Sequence, residues 1–272
     1  MRSFARSAVA AGGVGFASVL LAASGCGFTG VGLLDVSAEA AAANDVAEAS
    51  APLDASADVV DDPVVLDVHV IVEAAPPPGP CDDPTLVLCV RFDGTTVDGA
   101  HNQPIDVTNV SYVTGVDGMA ALLDPTSAIK VPDGPPWQYT SITVEMWARP
   151  DALPTGSGRA GLLDKDLSFG MFTYADGSVR CIFNQTATAT AFTTLGAWVH
   201  VACVNDGTSS TLYVDGVVKS TLPASKVSPT GALAAIGNNS PDLGDPWIGA
   251  LDTVRVYSRA KTAAEIAADA KR

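Results

Sequence analysis

Strict alternation is the feature that leaves this chain fewest options. In Ile142-Thr143-Val144-Glu145-Met146-Trp147-Ala148 the aliphatic side chains fall at every second position, a period that suits a half-buried strand and not a helix. Leu86, Leu88, Val90 and Phe92 repeat the pattern until Asp93-Gly94 ends the run. The breaks between such runs carry turn chemistry. Residues 169–174 and 178–183 flank Asp176-Gly177, while residues 198–204, 211–214 and 217–220 are separated by Asp206-Gly207 and Asp215-Gly216. Asp-Gly supplies the positive backbone dihedrals that tight hairpins need, so these segments predict a hairpin and then a three-stranded meander. A last long strand is expected over residues 247–257. Helix is expected only at the end, where Thr262-Ala263-Ala264-Glu265 has capping-box spacing. Many short strands split by turns predict an all-β fold, an antiparallel two-sheet sandwich.

The first 80 residues lack this pattern. Arg2 and Arg6 precede a short run of apolar and small residues that ends at Ser24-Gly25-Cys26, the layout of a secretory signal. Ala22-Ala23-Ser24-Gly25-Cys26 resembles a bacterial lipobox, although Ala23 stands where leucine is commonest. The resemblance implies that residues 1–25 are removed and that Cys26 carries the lipid anchor. Residues 27–80 hold ten Asp or Glu and no Lys or Arg, and end in Pro76-Pro77-Pro78-Gly79-Pro80. Such a segment repels itself and has little to bury, so residues 26–80 are expected to form a disordered acidic tether. The apolar island at residues 64–72 is the one strand-like stretch within it. Folding is expected to begin at Cys81, giving one domain over residues 81–272.

That domain carries thirteen Lys and Arg against twenty Asp and Glu. A net acidic surface is unsuited to phosphate backbones, so nucleic acid is excluded as a partner. Its cysteines are Cys81, Cys89, Cys181 and Cys203. In an exported protein disulfides are the expected state, and four cysteines allow three pairings. Cys81 with Cys89 and Cys181 with Cys203 is the favoured set, which the sequence alone does not fix.

With these segments in place, the domain resembles the laminin G-like, concanavalin A-like lectin/glucanase family. The resemblance rests on four blocks: residues 86–94, residues 142–150, Trp198-Val199-His200-Val201-Ala202 with Leu212-Tyr213-Val214-Asp215-Gly216, and residues 248–259 leading into Glu265-Ile266. It implies a jelly roll of two curved antiparallel sheets. Glucanases of this fold place paired acids as Glu-x-Asp-x-Glu or Glu-x-Asp-x-x-Glu on one strand. The domain's two glutamates, Glu145 and Glu265, do not fit that pattern, and no enzyme activity is expected. His200 reads as a packed imidazole bonded to backbone and His101 as a solvated loop side chain. The sequons at Asn109 and Asn184 read as chance matches.

Two binding sites are expected. Strand alternation sets Asp252 on the same face as Ile248, Ala250, Val254 and Val256, where an unpaired carboxylate would be costly. Backbone amides or an arginine would satisfy it; many relatives instead bind a structural Ca2+ through such an aspartate and carbonyl oxygens, so the resemblance makes Asp252 the candidate metal ligand with Asp93 as the second. The loop residues Asn238, Asn239, Asp242 and Asp245 offer amide and carboxylate partners for sugar hydroxyls, and Trp247 offers a stacking face. Turn chemistry alone would also place such residues in a loop, and the alternative for Trp247 is that it simply starts a core strand. The sequence therefore reads as a non-catalytic, surface-exposed binding module for carbohydrate or protein. The lipobox resemblance implies that it is held at the bacterial cell envelope by a lipid anchor, in the outer membrane or at the cell surface; the alternative is ordinary secretion with Cys26 lost or unmodified. The alternative is a structural or adhesive envelope protein with a protein partner and no sugar site.

Overall fold

The computed structural model describes residues 79–271. The expected signal peptide, Cys26, most of the tether and the apolar island at residues 64–72 lie outside the described residues. Among those described, fifteen strands and one helix run in order. They are β1 (Leu86–Val90), β2 (Asp106–Thr108), β3 (Ser111–Thr114), β4 (Met119–Leu123), β5 (Ala128–Val131), β6 (Ile142–Pro150), β7 (Arg159–Lys165) and β8 (Phe169–Tyr174). After them come β9 (Ser178–Phe183), β10 (Gln185–Thr190), β11 (Val199–Asn205), β12 (Ser209–Val214), β13 (Val217–Pro223), β14 (Ala234–Ile236), β15 (Gly249–Tyr257) and α1 (Ala263–Asp269).

The strands form two antiparallel sheets. One is ordered β13-β12-β11-β6-β15-β4-β3, with β1 also paired to β15; the other is ordered β10-β9-β8-β7-β14-β5-β2. This is a jelly-roll sandwich with a C-terminal helix. Ile142, Val144, Met146 and Ala148 of β6 face Met171, Val179 and Phe183 in one continuous core. Cys181 of β9 and Cys203 of β11 bridge the two sheets as a disulfide with Cα atoms 5.7 Å apart. A second disulfide ties Cys81 to Cys89 within β1.

The outer face of the larger sheet is also covered. Ile266 of α1 packs with Ala202, Val204 and Tyr213, which is why β11 is buried along its whole length and does not alternate cleanly. Seven residues are too few for a stable free helix; the Thr262–Glu265 capping box and the burial of Ile266, worth about 2 kcal/mol, hold this one in place.

Alternation fails at one point that matters for the expected metal site. Asp252 of β15 pairs with Trp147, but Arg255 pairs with Glu145, so β15 carries an extra residue. Thr253 absorbs it with φ of 48°, a left-handed conformation uncommon for a β-branched residue. The bulge reverses the phase of the strand: Leu251, Val254 and Val256 enter the core, and Asp252 points to the outer face rather than sharing theirs.

Candidate functional site

The outer face of the smaller sheet holds an open groove of about 350 Å³, within the usual range for small-ligand pockets. It is built by a second bulge. Gly161 of β7 pairs with Phe172 and Leu163 with Met171, so Leu162 and Leu163 both turn into the core. Asp164 then emerges on the outer face. Lys165 goes back inside, where its Nζ lies 2.6 Å from Asp133 and 4.5 Å from the Trp137 ring. The hairpin tip Asp166-Leu167-Ser168 forms one rim of the groove. Leu167 has φ of 61° and is 89% exposed, an unfavourable setting for leucine on both counts.

The floor depends on a glycine. A Cβ added at Gly170 would stand 2.5 Å from the Phe172 ring and 3.0 Å from Asp164 Oδ1, so any other residue would push against the ring and the carboxylate. The Arg159 guanidinium lies 4.0 Å over the Phe172 ring, while its Nε donates to Asp245 at 2.7 Å. Asp164 Oδ2 accepts the Ser240 N–H at 2.8 Å. Burial pushes the Asp164 carboxyl up to about 6; that N–H and Arg159 oppose the rise, while Asp166 and Asp245 add to it.

The loop expected to bind sugar folds over this same face, against Gly161. Most of its polar atoms are spent internally. Asn238 Oδ1 accepts the N–H groups of Asn239 and Asp245, and Asn239 Oδ1 those of Gly244 and Asp245. Asp242 is exposed at the loop tip. Trp247 is 0% exposed, with its ring centroid 5.4 Å from that of Phe192, so it offers no face for stacking. What the loop gives the groove is Ser240 and, through Arg159, Asp245. Asp164, Asp166, Arg159 and Leu167 were not among the expected site residues; the Asp164-Lys165-Asp166 alternation was their only signal.

The two expected metal ligands do come together, but on a peptide turn. Asp252 Oδ2 accepts the N–H groups of Val116 (2.7 Å) and Asp117 (3.0 Å), and Oδ1 accepts the Thr253 hydroxyl. Asp93 Oδ1 accepts the Met119 N–H at 2.9 Å, and Arg91 pairs with its other oxygen. Side chains at Gly115 or Gly118 would collide with these carboxylates. Burial pushes the Asp252 carboxyl above its ordinary value, against its three hydrogen bonds. Calcium needs six or more oxygen ligands. Here N–H and O–H donors surround Asp252, and among the described residues no three His, Cys, Asp or Glu gather as metal ligands. The residues do not fit the ion; backbone amides satisfy the carboxylate.

A buried ionic cluster lies beneath α1. Glu145 Oε1 takes Arg255 and Lys261, each at 2.9 Å, and the Tyr257 hydroxyl at 3.2 Å. Asp269 pairs with the same two cations. His200 is fully buried with no hydrogen bond to either ring nitrogen, so it is not bonded to backbone; its Nε2 lies 3.9 Å from Glu145 Oε2. Burial, aided by Arg255, pushes its imidazole down to about 3 and keeps it neutral. Glu145 thus gains a second carboxylate nearby, with both acids neutralised by shared cations. His101 is not simply solvated either: its Nε2 lies 2.7 Å from the Leu86 carbonyl.

The family model described as the concanavalin A-like lectin/glucanases superfamily matches residues 123–267. Comparison with curated proteins gives no match. Among solved structures, domain 4 of the extracellular arabinanase AbnA from Geobacillus stearothermophilus, in complex with arabinotriose, is 24% identical. The match covers 69% of this chain and 98% of that one, with a TM-score of 0.55. The binding domain of Paraclostridial Mosquitocidal Protein 1 is 17% identical over 68% of this chain and 52% of its own, TM-score 0.56. The botulinum neurotoxin serotype G binding domain is 11% identical over 68% and 50%, TM-score 0.55. The chain thus spans about half the length of the toxin domains it matches, and identities this low establish shared fold alone. Together with the two-sheet architecture, the family match shows that this chain belongs to the concanavalin A-like lectin/glucanase superfamily.

Proposed function

We propose that the protein is a non-catalytic recognition module for carbohydrate, exported and anchored through Cys26, with residues 26–80 as an acidic spacer and residues 81–272 as the binding domain. The observation that carries the reading is the groove over Gly170. It combines carboxylate oxygens at Asp164 and Asp166, the Arg159–Phe172 stack and the apolar rim of Leu167. Sugars need this mixture, since hydroxyls seek fixed polar partners and ring C–H faces seek apolar surface. Solved structures of similar fold, one a domain in complex with arabinotriose and one a binding domain, lend support. So do the ion pairs beneath α1, which occupy the carboxylates of both Glu145 and Asp269.

A glycan array probed with the full chain tests this. Saturable binding that Asp164→Asn abolishes supports the reading, and release of reducing ends from a bound oligosaccharide would overturn its non-catalytic half. Mass spectrometry of the mature N-terminus tests the anchor; an unmodified terminus downstream of Cys26 refutes it. A second reading, an adhesive envelope component with a protein partner, is favoured by Val217, Val218 and Leu222, exposed along the terminal strand β13. Exposed apolar strand edges are surfaces that proteins pair through. A blank array would favour it.

A further inference from the structure

Charge is unevenly placed over the domain. Of its twenty Asp and Glu, only Asp206 and Asp215 fall between residues 177 and 241, beside the cations Arg180, Lys219 and Lys226. The rest of the domain holds eighteen acids against ten Lys and Arg. The near-neutral stretch builds β9 and β10 at one end of the smaller sheet and β11, β12 and β13 at one end of the larger. β10 packs across the layers on β12 and β13, so these ends form one side of the sandwich, and the acidic surface lies elsewhere.

That side also presents a strand edge without the usual protection. Edge strands are blunted by charges, prolines, bulges or shortness. β13 has a bulge at Lys219 and ends in Pro223; β2 and β3, at the far ends of the sheets, are three and four residues long. β10 has none of these devices. Its six residues, Gln185-Thr186-Ala187-Thr188-Ala189-Thr190, pair with β9 in unbroken register at the end of the sheet, and Thr186, Thr188 and Thr190 are exposed. Beside it, Val217 and Leu222 of β13 share the inner face with the buried Val214 and Ser210, yet they are 55% and 38% exposed.

We infer that this side is a self-association surface, on which β10 pairs antiparallel with β10 of a second copy and the smaller sheet continues across both molecules. Residues directly opposite each other in an antiparallel pair share a face. A two-fold axis through Thr188 therefore sets Thr188 on Thr188, Thr186 on Thr190 and Ala187 on Ala189. Every outward rung is then a threonine pair, a favourable cross-strand combination, and no charge meets its like. A two-fold contact needs a patch that complements itself, which the threonine and alanine positions of β10 supply. The axis also brings the two β13 strands together over Val217 and Leu222. Contact through the rest of the domain would instead set acidic surface against acidic surface. The inference is independent of the carbohydrate groove, none of whose lining residues lies on β10.

Thiol cross-linking of the full chain in intact cells tests the inference, with a short bismaleimide as probe and the native chain as background. Thr108, Thr186, Thr188 and Thr190 are all exposed, so cysteine at any of them leaves the fold intact. Opposed Thr188 Cβ atoms would stand about 5 Å apart, so Thr188→Cys should give about tenfold more covalent dimer than Thr108→Cys on the edge strand β2. Thr186→Cys and Thr190→Cys should cross-link when co-expressed and not singly. Thr188→Cys that yields no dimer above the native background, or no more than Thr108→Cys, would overturn the self-pairing. So would a cross-link from Thr188→Cys to a different protein, which would give the edge to another partner. Thr186→Cys that cross-links alone as strongly as the co-expressed pair would overturn the axis through Thr188.

Discussion

Lys261 reaches across the outer face of the sheet to Glu145, Nζ to Oε1 at 2.9 Å, while Asp269 of α1 holds the same ammonium from the other side. All three side chains are almost wholly buried. The pair therefore fastens the C-terminal helix to the sandwich, and it does so across 116 residues of sequence. Removing one partner strands its mates in a low-dielectric site. Lys261→Ala should lower unfolding stability by about 3 to 5 kcal/mol; a urea denaturation midpoint equal to that of the native protein would refute it.

Asp164 should be a stability liability above its pKa. Its carboxyl sits at about 6 in the fold against 3.8 ordinarily, so the folded state binds protons more readily than the unfolded chain. Below about pH 4 both states are protonated and no penalty applies; it grows as pH rises and is complete above the folded value. Asp164→Asn, which keeps an acceptor for the Ser240 N–H, should then stabilise the domain at pH 7.5 by about 1 kcal/mol, after allowing for solvent screening of a partly exposed group. The gap should close as pH falls from 6 to 4, and melting curves of both proteins across that range measure it. A gap independent of pH would show that the carboxylate is not strained.

Trp247 should behave as core and not as a sugar platform. Trp247→Ala should cost about 3 to 5 kcal/mol while leaving the affinity of the folded fraction at the groove unchanged. Titration at low temperature, where the variant remains folded, checks both. A variant of native stability that has lost glycan binding would restore the stacking role.

The Asp252 turn gives an opposite pair of outcomes. Chelator or added calcium should leave the melting temperature unchanged, because amides already occupy the carboxylate. Asp252→Ala should cost about 2 to 4 kcal/mol, since it leaves the Val116 and Asp117 N–H groups without an acceptor. A melting temperature that rises with calcium would reverse the assignment.

Legibility in the sequence followed locality. β6, the β8–β9 hairpin, the β11–β13 meander and α1 were readable because alternation, Asp-Gly corners and the capping box are signals written within a few residues. β2 to β5, β7, β10 and β14 were not; β2 and β14 are three residues each, and β7 and β10 lack clean alternation of large apolar side chains. β14 is a strand only because β5 and β7 pair on either side of it. The site failed for a related reason. Extra residues at Thr253 and Leu162 each reverse a strand's phase, moving Asp252 off its expected face and bringing Asp164 onto the groove. Period-two reasoning assumes an unbroken register. The loop that completes the groove returns from some seventy-five positions further along the chain, a distance that no local pattern encodes.

The bond between Cys81 and Cys89 determines how the domain would carry tension. Residue 81 precedes β1, yet it is covalently joined to Cys89, next to the last residue of that strand. A pull from the N-terminal side therefore bypasses residues 82–88 and arrives near the far end of β1, where Cys89 and Val90 pair with Arg255 and Val254 of β15. Without the bridge, the same pull would begin at Leu86 and peel the ladder one rung at a time. With it, a stretched chain loads the interior of the sheet first, and reduction of this single linkage would turn a firm grip into a zipper.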